Sequence, residues 1–301
     1  MNINDEISKL DWSKAPAGLY APIGYTLEAG GKRVRPMLCL TACRLVGGDE
    51  QQALSAALAL EVFHNFTLLH DDVMDHAQVR RGRACVHVKW DENTAILSGD
   101  QMMIEAYKLL GQVPEDKLAR VLRLFNTMAT EICEGQQYDV DFEHQADVTL
   151  DDYMMMIRRK TSVLLATALQ IGAYLGGADE AVQQALYEYG ICVGLAFQIQ
   201  DDYLDCYGNE QTFGKSIGGD IREGKKTWLR LTAERLRQSP IDSVDYAEVI
   251  AEYDRLNVPA LALAEIQELT EQALTYLNQV PQNEATDQLR SLALQLMKRN
   301  L

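Results

Sequence analysis

Residues 58–76, LALEVFHNFTLLHDDVMDH, decide how the rest of the chain is read. Leu58, Val62, Phe66, Leu69 and Val73 recur every three or four residues, the apolar stripe of a buried helix. A second stripe at helical spacing runs through His64, Leu68, Asp71 and Asp75 and carries an imidazole and two carboxylates. Carboxylates four residues apart share one helix face, about 6 Å from each other. Burying both is costly unless a cation compensates them. Hard oxygen donors at that spacing suit Mg²⁺, and Asp72 beside them can hold a metal-bound water. The bland alternative is a solvated helical turn, where Asp is common.

The same Asp-Asp-x-x-Asp pattern returns in residues 197–205, FQIQDDYLD, again just after an apolar run and with no helix breaker inside. Asp201 and Asp205 then share a face as Asp71 and Asp75 do. One such pair is a weak signal, whereas two copies of the five-residue pattern are a strong one. Two such faces on facing helices would line a cleft with carboxylates, able to hold several Mg²⁺ ions against a polyanionic substrate.

Composition narrows the function. A chain of 301 residues has ample core. Seven prolines and long Ala/Leu-rich stretches point to an all-α chain. A formal net charge of -16 argues against a nucleic-acid or anionic-membrane binder, either of which needs a broad basic face. The cations are nevertheless clustered: Lys32, Arg33 and Arg35; Arg80, Arg81 and Arg83; Arg158, Arg159 and Lys160; Lys215, Arg222, Lys225 and Lys226. Basic spots beside acidic motifs are what a metal-assisted diphosphate site requires. The six cysteines form no CxxC pair and read as reduced core residues of a cytoplasmic protein. The acidic N-terminus carries no signal-peptide pattern, and no apolar run is long enough to span a membrane.

In chain order, the pattern predicts a short helix over 1–10 and a loop over 11–22. A short helix then leads to Gly30-Gly31 and the basic segment GGKRVRP, residues 30–36. Lys32 and Arg35, three apart, can point the same way from a helix start, which also attracts anions; a plain basic cap is the alternative. Helices follow at 36–46, 50–76, 92–111, 115–143, 149–176, 179–207, 222–238, 244–255, 259–279 and 284–299, with Gly and Pro at the breaks. No repeat or linker appears. The expectation is a single all-α domain over 1–301, a large helical bundle with its site in a central cleft between helices.

Residues 80–82, RRG, fall where the first acidic helix must end. Adjacent arginines there can grip two different phosphate groups, or simply compensate the helix dipole. Lys160-Thr161 lies inside an apolar helix, so its cation needs a partner. The segment GKSIGGDIREGKK, 214–226, can close over a ligand with Lys215 and Lys225. Gly214-Lys215-Ser216 is not a phosphate-binding P-loop: Gly208 is one residue too far upstream, and a helix rather than a strand precedes it. Glu61-x-x-His64 is half of a di-iron motif, but the second half is missing.

Together GGKRVRP, LLHDDVMDHAQVRRG, Lys160-Thr161, FQIQDDYLD and GKSIGGDIREGKK resemble, in order and over roughly residues 20–230, the trans-isoprenyl diphosphate synthase family. The resemblance implies an all-α homodimer condensing isopentenyl diphosphate with an allylic diphosphate. It implies Asp71, Asp75 and Asp201 as ligands of three Mg²⁺ ions, with Asp72, Asp202, Asp205 and Asp220 nearby. Arg80, Lys160, Lys215 and Lys225 would hold the allylic diphosphate. Gly31, Lys32, Arg35, His64 and Arg81 would hold the isopentenyl diphosphate without metal, and Thr161 and Gln198 would face the allylic cation. A terpene cyclase would need no second-diphosphate residues, and a non-catalytic subunit could dispense with a metal motif. In the family, residues four and five before the first Asp set product length, here Thr67 and Phe66. A helical wheel instead brings Phe63 closer to the Asp71 direction, about 80° away against about 140° for Phe66. A C15 to C20 product is expected.

Overall fold

The computed structural model describes residues 2–209 and 217–298, and among them it is helical apart from one small hairpin. Met1–Leu124 with Ala168–Asp179 form one compact unit, and Phe125–Thr167 with Glu180–Leu301 a second. The first runs through α1 (Ile3–Ser8), α2 (Ala17–Glu28), α3 (Val34–Leu45) and α4 (Glu50–Met74). It continues with β1 (Val79–Arg80), β2 (Arg83–Ala84), α5 (Val86–Lys89) and α6 (Glu92–Leu110). Next come α7 (Glu115–His144), α8 (Leu150–Ile157), a π-helical turn (Arg158–Ser162) and α9 (Val163–Leu175). The chain ends with α10 (Glu180–Tyr207), α11 (Gly219–Arg222), α12 (Trp228–Arg237), α13 (Tyr246–Arg255), α14 (Val258–Leu277) and α15 (Glu284–Lys298).

In the first unit α4 is the central element. Asp49 caps its start by accepting from the Gln51 amide at 3.0 Å, and Ala53 through Phe66 are almost all buried. A helix apolar on every side must be covered on every side; α3 and α6 pack against it. Small residues let this happen closely. Gly172 of α9 lies so near Cys39 of α3 that a Cβ there would sit 1.9 Å from the Cys39 carbonyl oxygen. In the second unit α10 packs along α14. The Tyr189 hydroxyl of α10 donates to the Leu289 carbonyl at 2.7 Å, tying in α15. No helix among the described residues is long and apolar enough to cross a membrane.

Four local expectations change. Residues 17–22 are helical rather than loop, since α2 starts right after Pro16, a residue that sits comfortably ahead of a first turn. The helix expected over 149–176 is interrupted by the π turn. The one expected over 222–238 is broken at Gly224, which adopts φ +68°, and α12 restarts behind the Thr227 cap. After the first acidic motif the chain forms a hairpin, with Val79 opposite Ala84 and Arg80 opposite Arg83. Arg81 (φ 52°) and Gly82 (φ 73°) supply the two left-handed residues of a type I′ turn.

Gly172→Ala should cost about 1–3 kcal/mol, because backbone of α3 must give way to the new methyl. Thermal denaturation should show a Tm lowered by several degrees; an unchanged Tm would mean that α3 and α9 are not in such close contact.

Candidate functional site

The first unit assembles the first acidic motif with most of the basic residues singled out above. Asp71 is half-buried in the last turn of α4, and Asp75 is exposed at its C-cap. Asp72 is buried and turned to the hairpin, where Arg80 Nε donates to Asp72 Oδ1 at 2.6 Å. Arg80 Nη2 also reaches Asp71 Oδ2, at 3.4 Å. The hairpin is clamped by Tyr25, whose ring lies 4.0 Å from the Arg83 guanidinium and 3.9 Å from Lys89 Nζ. The Tyr25 hydroxyl donates to the Ala84 carbonyl at 2.9 Å.

Arg81 folds back over the GGKRVRP segment. Its Nη1 donates to the Gly30 carbonyl and, at 3.3 Å, to Asn65 Oδ1. Gly31, at φ +134°, leaves room for that guanidinium: a Cβ would come within 3.0 Å of Arg81 Cζ. Lys32 is exposed ahead of α3, while Arg35 and His64 are half-buried. The Arg35 Nε finds no hydrogen-bond acceptor. Burial, with Arg81 opposing the attraction of Glu61, lowers the Arg35 guanidinium to about 10. Burial and then the charges of Arg35, Arg81, Arg80 and Arg33 push His64 well below its ordinary value, so its imidazole is neutral. The cluster sets a neutral imidazole among four guanidinium groups, of which Arg33 is paired with Glu61 and Arg80 with Asp72, a combination suited to binding an anion. A small open recess nearby is lined by Asn65, Asp72, Arg80 and Arg81 among others.

Arg33 and Glu61, named in the sequence as a cluster cation and half of a di-iron motif, pair with each other instead, and Asn65 beside them is not singled out by the sequence. Arg33 and Glu61 are buried and paired at 2.6 Å, and the Asn65 amide donates to Glu61 Oε1 at 3.0 Å. Glu61 therefore has a structural partner, and the di-iron alternative falls away. The available signal was Glu61 and Asn65 at i,i+4 inside an otherwise apolar run.

The second unit assembles the other motif. Asp201 is half-buried. Asp202 is buried and accepts from the Tyr153 hydroxyl at 2.5 Å and the Trp228 amide at 2.9 Å. Burial, then Asp220, raises Asp202 to about 8. Asp205 is buried and accepts the amides of Gly219 and Asp220 at 3.2 and 3.1 Å. Burial, then Asp205, raises Asp220 to about 6. Lys225 sits near Glu223 (3.1 Å) and Asp220 (3.8 Å); Lys215 lies outside the described residues. Lys160 finds its partner in Asp139 of α7, with Nζ 2.5 Å from Oδ2, another residue the sequence reading passed over. Thr161 Oγ1 donates to Gln198 Oε1 at 3.3 Å. Among the described residues no three His, Cys, Asp or Glu side chains are gathered tightly enough to hold a metal by themselves. The residues present still suit Mg²⁺: they are hard oxygen donors, and after burial, the larger cause, neighbouring carboxylates add to the rise of Asp202 and Asp220, a repulsion that a divalent ion would relieve.

Comparison with known proteins shows the family. Residues 16–253 match the family model described as polyprenyl synthetase. The chain is 46% identical over 221 residues to a geranylgeranyl diphosphate synthase of Methanosarcina mazei, covering 72% of this chain and 68% of that one. It is 41% identical over 249 residues to a geranylfarnesyl diphosphate synthase of Natronomonas pharaonis, covering 77% and 73%. A crystal structure of a geranylgeranyl pyrophosphate synthase superposes with a TM-score of 0.92 at 43% identity, covering 99% of this chain and 97% of that one.

The depressed His64 makes a pH prediction. Below the ordinary imidazole value of about 6.5 the unfolded chain takes up a proton there while the folded chain does not, so stability falls as pH drops through that range. Between about pH 7 and 5, Tm should fall more steeply for the wild type than for His64→Gln; equal slopes would show that His64 titrates normally.

Proposed function

The chain belongs to the polyprenyl synthetase family, and we propose that it makes geranylgeranyl diphosphate as its main product with Mg²⁺ as cofactor. It is a prenyltransferase that joins isopentenyl diphosphate to an allylic diphosphate and yields a short-chain trans-prenyl diphosphate. One domain spanning 1–301 carries this activity; the family match runs through both compact units. The observation that carries the reading is the basic cluster around His64, where Arg81 folds back onto Gly30 and Asn65 and a buried Arg35 Nε has no acceptor. A metal-free anion site next to an acidic motif is needed by an enzyme that binds two diphosphates and superfluous in a cyclase that binds one.

In this reading Gly31, Lys32, Arg35, His64 and Arg81 bind isopentenyl diphosphate. Asp71, Asp75 and Asp201 are the ligands of three Mg²⁺ ions, and Arg80, Lys160, Lys215 and Lys225 complete the allylic diphosphate site. When bound, Mg²⁺ supplies neutralisation of the charge that develops on the leaving diphosphate. The allylic C–O bond breaks with its electron pair going to that diphosphate, and the isopentenyl double bond attacks the cation faced by Thr161 and Gln198. A proton then leaves the new tertiary centre's neighbour, with the departed diphosphate as acceptor, since no side chain here is an evident base. The exposed Ile96, Leu97, Ile104 and Tyr107 of α6 suit a homodimer contact, and six free thiols, five of them buried, suit the reducing cytoplasm.

For product length, Phe63 and Phe66 are in ring contact, with centroids 5.4 Å apart. Phe63 is 0% exposed and Phe66 9%, so Phe66 is the ring a growing tail meets first. This favours Phe66 over the wheel's Phe63 as the floor.

Asp71→Ala and Asp201→Ala should each lower kcat by about 10³-fold or more while leaving the fold intact, as loss of a metal ligand removes several kcal/mol from the transition state. Turnover near wild type with an unchanged Mg²⁺ requirement would refute the metal assignment. Mass analysis of products formed from isopentenyl diphosphate and each allylic primer tests the function itself: the wild type should stop at C20, and Phe66→Ala should add at least one C5 unit. A wild-type product of C30 or longer would overturn the short-chain assignment, and extension by Phe63→Ala alone would make Phe63 the floor.

A further inference from the structure

The π turn at Arg158–Ser162 carries Lys160 and Thr161, and two glycines of the second unit grip it. A Cβ on Gly135 of α7 would lie 2.4 Å from the Lys160 backbone nitrogen and 2.8 Å from its Cα. A Cβ on Gly194 of α10 would lie 2.5 Å from Ser162 Cα and 2.6 Å from Ser162 Cβ. Both contacts are with the backbone, or with atoms next to it, so they cannot be relieved by rotating a side chain. Four residues after each glycine, on the same helix face, stands the group that takes the neighbouring side chain. Asp139 receives Lys160 Nζ at 2.5 Å, and Gln198 receives Thr161 Oγ1 at 3.3 Å. A π turn admits an extra residue and so resets the direction of every side chain on it. Its register is held here by two backbone contacts and two polar ones.

We propose that Gly135, Asp139 and Gly194 are positioning residues that seat the π turn and thereby aim Lys160 and Thr161 at the allylic substrate. The inference rests on the assignment of Lys160 and Thr161 to that substrate made above. Gly190, one turn further back on α10, provides an internal control. It packs as closely, with a Cβ 2.5 Å from Ala166 Cα, but against α9 rather than the π turn.

The test is steady-state kinetics of Gly135→Ala, Asp139→Asn, Gly194→Ala, Gly190→Ala and Lys160→Ala, each with its Tm, and of the double variant Gly135→Ala/Lys160→Ala. Gly135→Ala, Asp139→Asn and Gly194→Ala should lower kcat/KM for the allylic diphosphate by about 10²-fold, the scale of a displacement of about 1 Å. The KM for isopentenyl diphosphate, whose proposed residues all belong to the first unit, should stay within about twofold. In the Lys160→Ala background Gly135→Ala should cost clearly less than it does alone, its remaining effect acting through Thr161, because residues acting through one another are not additive. Gly190→Ala should lower Tm and leave both KM values alone. The proposal is overturned if the glycine variants only lower Tm as Gly190→Ala does, if both KM values rise together, or if the double variant is additive. Should Gly135→Ala not fold, Asp139→Asn decides, since it preserves the packing: an unchanged allylic kcat/KM there refutes the role. Unchanged allylic kinetics in Lys160→Ala would instead refute the substrate assignment itself.

Discussion

The guanidinium of Arg33 is the interaction on which the basic half of the site depends. It donates to Glu61 of α4 at 2.6 Å, to the Leu27 carbonyl of α2 at 2.5 Å and to Asn4 of α1 at 3.2 Å, while its own backbone caps α3 in a left-handed conformation. One cation thus joins four helices. Arg33 and Glu61 are both buried, so neither can lose the other without leaving an uncompensated charge in the core. The same carboxylate holds Asn65, and Asn65 accepts from Arg81. Arg35 and Arg81 therefore stand, with the uncharged His64, beside a framework that is already neutral, and their positive charge is left for a ligand.

The acidic motifs divide their labour in a complementary way. Adjacent residues on a helix point about 100° apart, so the two aspartates of an Asp-Asp pair cannot serve the same ligand from the same face. In both motifs the second one turns inward. Asp72 fixes Arg80, and Asp202 takes the Tyr153 hydroxyl and the Trp228 amide. Asp205 goes the same way, capping α11. What remains half-buried or exposed is Asp71, Asp75, Asp201 and Asp220. Within the second unit burial, and after it the neighbouring carboxylates, raise Asp202 and Asp220, and a cation beside them would relieve the repulsive part of that shift.

The helices were legible because their signals are local. Spacing of apolar residues, Gly and Pro breaks and capping residues placed α3, α4, α6, α7, α10, α14 and α15 within a few residues of their observed ends. The deviations occur where distant packing overrides those signals. A continuous apolar pattern over 149–176 contains nothing to announce a π turn; that turn appears where Gly135 and Gly194 bring other helices against its backbone. The hairpin at 79–84 buries too little to show a strand period, and it is held by Tyr25, more than fifty residues away.

The sequence by itself determined the all-α class, the two aspartate motifs, the basic clusters and the chemistry that their combination implies, because these depend on residue type and short-range spacing. Only the tertiary structure decided which charges are spoken for. That Asp72 belongs to Arg80, Glu61 to Arg33, and Lys160 to Asp139 follows from pairs that are 8, 28 and 21 residues apart. Charges of opposite sign compete for partners through space, at distances that fall off within a few ångströms, and no periodicity along the chain records the outcome.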